Sequence, residues 1–318
     1  METEQGTLAD RYAGVLLGSA CGDALGGPVE FLAREDIAVR HPEGVKEFIG
    51  GGWLNLAPGE VTDDTQQTLI LCDALTQSGL DLDRFAAGLS AWFASKPKDV
   101  GNTTRIALEA LAAGTAPLQA GAVAVAARGA DRSASNGAVM RCAPVALRFR
   151  RDPAALVRAS LDSAIVTHAE SRASWATVAV NQAIVHLLDG GPVGMVVSAA
   201  IAGVENPAVC EAIEGAAIRD RLAIRASGFV LETLQASFWS LLHTDSARGA
   251  IETAVSFGED ADSTGAVTGA LAGAAYGAKA LPESWLPMCN IAIDCKARRH
   301  GFSTWPATSR STVGRPHQ

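Results

Sequence analysis

Two acidic clusters lie far apart in the chain, and each offers only oxygen donors. The first is Val61-Thr62-Asp63-Asp64-Thr65-Gln66, and the second is Gly258-Glu259-Asp260-Ala261-Asp262-Ser263-Thr264. Carboxylates with adjacent hydroxyls suit Mg²⁺ or Mn²⁺, whereas Zn²⁺ prefers nitrogen and sulfur. Each cluster stands where an apolar helix is expected to begin, at the positive end of the helix dipole. If the fold joins them, Asp63, Asp64, Asp260 and Asp262 converge on one point, and only bound cations would relieve their repulsion. Side chains on a helix are ~100° apart per residue, so residues two apart face nearly opposite sides. Asp260 and Asp262 can therefore converge only from a loop turning into a helix N-terminus. Asp, Ser and Thr are also favoured N-caps, but two clusters with more acids than a cap needs favour a two-metal cleft.

Further residues could work beside such a cleft. Glu30 follows the glycine-rich turn Gly22-Asp23-Ala24-Leu25-Gly26-Gly27-Pro28-Val29, whose glycines permit close backbone approach. Asp23 could equally cap a helix end, and Glu30 could be a solvated surface acid. Asp99 and Gly101 lie in a loop entering the helix from Asn102, where Asp99 could serve merely as a cap. The run Ser133-Ala134-Ser135-Asn136-Gly137-Ala138-Val139-Met140-Arg141 is a loop of small residues before a helix start. Its amides could hold phosphate or ribose hydroxyls, with a plain turn as the competitor. His168, in Val166-Thr167-His168, is either structural or ligand-facing.

The elements that must position these groups read as helices almost throughout. Residues 8–24 place Leu8, Tyr12, Val15, Leu16 and Ala20 on one face before Gly26-Gly27-Pro28 stops the helix. A second helix opens at Asp63/Asp64, runs through Leu75 and is ended by Gly79. Others read at 81–95, 102–113, 117–127, 153–166, 171–188, 193–202, 207–216, 228–242, 245–254 and 263–280. The last, GAVTGALAGAAYGA after Thr264, suits tight burial against a neighbour. Only 45–54 hints at a short hairpin. The expected fold is all-α: a single compact multi-helix domain over 8–288, with a frayed segment 1–7 and an irregular tail 289–318, basic and Ser/Thr/Pro-containing from about 296.

Composition narrows the class further. The chain has 318 residues, ample for a substantial core. A formal net charge of −8 argues against a nucleic-acid or anionic-membrane binder acting through a basic surface. The six cysteines are scattered without a Cys-x-x-Cys pair, so neither zinc nor a disulfide framework is indicated. The acidic start METEQGTLAD is no signal peptide. The longest uncharged run, 110–127, is broken by Gly114, Pro117 and Gly121, so no membrane span is expected. Cytoplasmic is the default location.

The ordered set GDALGGPVE, VTDDTQQT, DVGNTTR, SNGAVMR, TH and GEDADSTGAVTGALAGA resembles the ADP-ribosylglycohydrolase family, including the dinitrogenase-reductase-activating glycohydrolases. The likeness covers about residues 8–286 in the right order. It implies a compact all-α domain with two Mg²⁺ or Mn²⁺ ions in a cleft. The ligands it implies are Thr62, Asp63, Asp64, Asp260, Asp262 and Ser263, the last standing where the family often has Thr. Serine keeps the donor oxygen but lacks the methyl group that restricts its rotamer. Glu30 and Asp99 fall on catalytic positions, with Glu30 favoured for proton transfer and Asp99 for substrate positioning. Gly101, Asn136, Gly137, Met140 and His168 fall on the ligand side. The implied reaction is hydrolysis of a glycosidic bond at the anomeric carbon of an ADP-ribosyl group, on an ADP-ribosylated protein or a small conjugate. Two alternatives are a metal-dependent phosphoesterase on another helical fold and a non-catalytic, crystallin-like member of the same superfamily. The second would be marked by lost metal carboxylates, and none is lost.

Overall fold

Glycine recurs every fourth residue at 14, 18, 22 and 26, and again at 265, 269, 273 and 277. In a helix that spacing keeps a bare stripe on one face. The computed structural model, which describes residues 7–286, presses the two stripes together. Helix α1 (Leu8–Gly26) and helix α15 (Ala261–Tyr276) run antiparallel, with Gly14 against Gly273, Gly18 against Gly269, and Gly22 against Gly265. A Cβ on Gly18 would sit 2.2 Å from the Gly269 carbonyl oxygen, and one on Gly269 would sit 1.9 Å from the Gly18 oxygen. Both clashes are with backbone, which no rotamer change relieves. Nearly every residue of the two helices is buried, polar ones such as Asp10, Arg11 and Asp23 included.

This contact sets the site. Because the pair is antiparallel, the C-terminus of α1 meets the N-terminus of α15, and Gly26 packs on Ala261 between Asp260 and Asp262. The short 3-10 turn Gly27–Val29 then delivers Glu30 beside them. Gly18→Ala should lower stability by roughly 1–3 kcal/mol or more, the usual cost of overpacking. Denaturant unfolding at unchanged slope would measure it; an unaffected midpoint would mean that the helices part without cost.

The remaining elements wrap this pair. In order they are α2 (Arg34–Arg40), α3 (Asp63–Ala74), β1 (Leu75–Thr76), β2 (Gly79–Leu80), α4 (Leu82–Ala94), α5 (Asn102–Ala112), α6 (Pro117–Arg128), α7 (Ala130–Ser133) and α8 (Ala143–Phe149). There follow α9 (Pro153–Ile165), α10 (Ser171–Leu188), α11 (Val196–Ile201), α12 (Pro207–Ala216), α13 (Val230–Leu242) and α14 (Ala247–Val255). Helices α10, α13 and α14 pack on α15. The antiparallel pair β1–β2, in register Leu75 with Leu80, is the one sheet among the described residues. No helix among these residues is long and apolar enough to cross a membrane.

The all-helical expectation is met, with local differences. The hairpin expected at 45–54 does not form: Gly50, Gly51 and Gly52 have φ of +63°, +90° and +70°, outside the strand region, leaving a single bridge between Gly51 and Leu56. The helix from Asp63 ends at Ala74 rather than running through Leu75 to Gly79, because β1 starts at Leu75. Three helices are additional, of which α7 is a single turn, Ala130–Ser133, running into the segment read as a loop. α2 buries only Ile37 and so shows no period, whereas α8 is buried from Ala143 to Leu147 and has no polar face to reveal one. Residues 1–6 and the expected tail 289–318 lie outside the described residues.

Candidate active site

Helix α3 begins where it does because two side chains satisfy its free amides. Thr62 is its N-cap and accepts from the Asp64 N–H at 3.4 Å. The second cap comes from another helix. Asp23, fully buried near the end of α1, accepts from the Thr62 N–H at 3.0 Å, the Thr65 N–H at 3.0 Å and the Thr65 hydroxyl at 2.5 Å. A carboxylate at a helix N-terminus satisfies orphan donors and the dipole together. Asp23 thus fixes the direction in which Asp63 and Asp64 leave the helix. It caps α3, not the end of its own helix.

At α15 the local logic differs. Asp260 is the N-cap residue, yet its side chain makes no capping bond. Its Oδ2 instead accepts from Asn136 Nδ2 at 3.0 Å. Asp262 Oδ1 accepts from the Ser263 N–H at 2.9 Å. The Ser263 hydroxyl lies 3.4 Å from Asp64 Oδ2, so the two acidic clusters meet in one cleft.

The cleft holds about 600 Å³, within the range of small-ligand pockets. Glu30, Asp63, Asp64, Asp99, Asp260, Asp262 and Ser263 line it, as do Gly101, Asn136, Gly137, Met140 and His168. Of the residues that the resemblance places at the site, Thr62 alone does not line it; its hydroxyl lies 3.4 Å from Asp64 Oδ2. Glu30 belongs to the acidic group itself. One carboxylate oxygen from each of Glu30, Asp260 and Asp262 falls within 4.8 Å of the others. Asp64 Oδ1 is buried without a hydrogen-bond partner.

Such a cluster is electrostatically unfavourable by itself. Burial, then the charges of neighbouring acids, push Asp63, Asp64 and Asp262 well above the usual carboxylate range. Burial raises Glu30 to about 8, although Trp53 Nε1–H donates to its Oε2 at 2.6 Å and opposes the shift. Asp99 is raised as well, chiefly by burial. It accepts from the Val100 N–H at 2.7 Å and does not cap α5, whose N-cap is Gly101. Converging carboxyls whose protons a bound cation would displace into solvent, with one oxygen unpartnered, fit a site for hard divalent ions.

The far side of the cleft is organised by a residue that the sequence did not single out. Arg141 is fully buried and donates to Gln67 Oε1 at 2.5 Å, the Gly137 carbonyl at 2.8 Å and Thr167 Oγ1 at 2.6 Å. Gln67 Nε2–H in turn donates to Asp63 Oδ2 at 2.8 Å. One guanidinium therefore ties a cleft carboxylate to the Ser133–Arg141 loop and to the turn bearing His168. Burial lowers Arg141 to about 10, still charged at neutral pH. His168, held by Thr167 Oγ1 at 2.8 Å and Ser135 Oγ at 2.9 Å, is pushed well below its ordinary value by burial and so stays neutral. A Cβ at Gly137 would come 2.8 Å from His168 Cε1, which explains the small residue there. Arg105, Arg128 and Arg132 bring positive charge to the same cleft.

The all-helical body carries a cleft in which a buried oxygen-donor cluster, of a kind that could hold hard cations, stands beside cationic groups that could meet an anionic ligand. The profile of the ADP-ribosylglycohydrolase family matches residues 4–300, and the chain belongs to that family. It is 33% identical over 300 residues to an ADP-ribosyl-[dinitrogen reductase] glycohydrolase of Rhodospirillum rubrum, covering 92% of this chain and 95% of that protein. It is also 33% identical over 288 residues to the ADP-ribosylarginine hydrolase Tri1 of Serratia proteamaculans, covering 87% and 74%. A solved ADP-ribosylglycohydrolase-related protein complex superposes with a TM-score of 0.79 at 32% identity, over 94% of this chain and 98% of that one.

Proposed function

We propose that this chain releases ADP-ribose from arginine side chains, using two Mg²⁺ or Mn²⁺ ions held by Thr62, Asp63, Asp64, Asp260, Asp262 and Ser263. The observation that carries the reading is the convergence of Glu30, Asp260 and Asp262 within 4.8 Å, beside the unpartnered Asp64 Oδ1. The arginine linkage is supported by the relatives named as ADP-ribosylarginine hydrolases. An ADP-ribosylated protein, as named for the Rhodospirillum relative, is the corresponding partner.

When bound, divalent cations supply Lewis acidity and a water of lowered pKa. The chain's own residues do the rest. Gly137, Asn136 and Met140 position the ribose, while Arg105, Arg128 and Arg132 offset the diphosphate charge. The C1″–N bond breaks with its electron pair going to nitrogen, and the water oxygen bonds to C1″. Glu30 takes the water proton and returns it to the departing guanidine, so the acceptor leaves as a guanidinium. The acids lining the cleft stabilise the oxocarbenium character of the transition state. Asp99 holds the substrate in register.

The test is release of ADP-ribose from arginine-linked and serine-linked conjugates and of phosphate from simple esters, with Mg²⁺, Mn²⁺ or chelator present. ADP-ribose from the arginine conjugate, lost with chelator, is expected. Phosphate release alone would identify a phosphoesterase. Full activity in chelator would remove the cations from the reaction.

A further inference from the structure

Two large aromatic side chains stand partly in solvent at the mouth of the cleft, and one of them, Phe31, is held there by a backbone conformation that costs free energy. Phe31 is 65% exposed and Trp53 is 51% exposed, yet both line the cavity. Their ring centroids are 5.4 Å apart at 40°.

Phe31 has φ +63°, a region that bulky L residues seldom occupy. It is locked there because its N–H donates to the Glu259 carbonyl at 2.6 Å, while the Glu259 N–H donates to the Leu32 carbonyl at 2.8 Å. Glu259 also has a positive φ, +54°. Trp53 follows three consecutive glycines of positive φ. The loop is pinned by reciprocal Gly51–Leu56 backbone bonds of 2.7 and 2.8 Å. A Cβ on Gly52 would meet the Pro28 carbonyl at 2.8 Å, so the loop lies against the turn that carries Glu30. Burial does not compensate the strain at Phe31, since its ring is open to water, while the glycines before Trp53 take up positive φ without strain. Strain kept at a cleft mouth without a packing return points to a ligand.

The orientation says which part of the ligand. Trp53 turns its polar Nε1–H inward to Glu30 Oε2. Its edge is thereby committed to the carboxylate, while the residue, with Phe31 beside it, stays half exposed. Two acids, Glu30 and Asp99, line the same cavity, and Glu30 touches the ring N–H. Aromatic faces next to carboxylates favour a planar cation, which stacks on the rings while its N–H groups meet the acids.

We propose that Phe31 and Trp53 form the acceptor subsite, an aromatic wall on which the guanidinium of the ADP-ribosylated residue stacks, selecting planar cationic acceptors over neutral ones. The proposal rests on the reading of this cleft as an ADP-ribosyl hydrolase site. It adds the groups that choose the leaving group.

The direct test titrates the full chain, with Mn²⁺ and ADP-ribose present, with methylguanidinium and with its neutral isostere methylurea, followed by ligand-observed NMR. Wild type should bind the cation the more tightly, and Trp53→Leu and Phe31→Leu should each weaken that preference. Trp53→Phe keeps a ring but removes the N–H to Glu30, so it should keep the preference while lowering kcat. In the matching assay, Trp53→Leu should raise KM for arginine-linked ADP-ribose by about 10-fold, the scale of a cation–π contact. No preference in wild type, or one that survives both leucine variants, would overturn the subsite. Absence of ADP-ribose release by wild type is a separate failure, that of the hydrolase reading itself. Both side chains are largely exposed, so unchanged melting temperatures should accompany the leucine variants.

Discussion

Asp262→Ala is expected to abolish turnover, lowering kcat by roughly 10³-fold or more, on the scale of losing a major electrostatic group from an active site. The same substitution should stabilise the protein when cations are removed. Asp262, Asp63 and Asp64 are raised well above their ordinary values by burial and by one another, and Glu30 is raised from 4.5 to about 8. A carboxyl whose folded pKa exceeds its unfolded one holds more protons folded than unfolded between the two values. Stability therefore falls as pH rises through that window. For Glu30 the window runs from about 4.5 to about 8. Near the upper end, chelated wild type carries crowded charge, and removing one carboxylate relieves it. The alanine variant should then melt above wild type in chelator, and the order should reverse when Mn²⁺ is added. Wild-type cation affinity should itself rise with pH, because protons must leave as the ion binds. Calorimetric Mn²⁺ titrations at two pH values, with melting curves in chelator, measure all of this. An alanine variant that still turns over, or that is the less stable protein in chelator, would show that Asp262 serves only as a helix-terminal residue.

What the sequence disclosed follows from the range over which each interaction acts. The starts of α3 and α15 were legible because capping residues, extra acids and apolar periodicity all fall within a few residues of one another. Asp23 was visible as a residue, but its work was not. Its partners are Thr62 and Thr65, and nothing local to position 23 shows that its carboxylate caps another helix. Arg141 was read as the end of a small-residue loop. Its role depends on Gln67 and Thr167, which only the packing brings to it. Trp53 stood in a segment read as a possible hairpin, where three glycines of positive φ replace the strand and periodicity carries no signal. The glycine stripes are an intermediate case. Their four-residue spacing is present in the sequence, but an i, i+4 glycine row has meaning only when a second one lies opposite.

That same packing sharpens the division of labour between Glu30 and Asp99. Glu30 stands on the turn fixed by the α1–α15 contact, with one oxygen inside the carboxylate group and the Trp53 N–H on Oε2. Gln at this position keeps an oxygen to accept that N–H but cannot shuttle a proton. Glu30→Gln should therefore lower kcat by about 10²-fold or more, the range of general acid–base catalysis, with KM little changed. Asp99 sits on the cleft wall, with one oxygen on its neighbour's N–H and α5 starting independently at Asn102. Asp99→Asn should act on KM and largely spare kcat, the pattern of uniform binding. Because Asp99 caps no helix, its melting temperature should stay near wild type. Steady-state kinetics on arginine-linked ADP-ribose, with both variants saturated in Mn²⁺, separates the roles. Near-wild-type kcat in Glu30→Gln together with collapse in Asp99→Asn would transfer proton movement to Asp99. Glu30 would then be an ordinary member of the carboxylate group, and the Trp53 contact would orient a ligand rather than an acid–base.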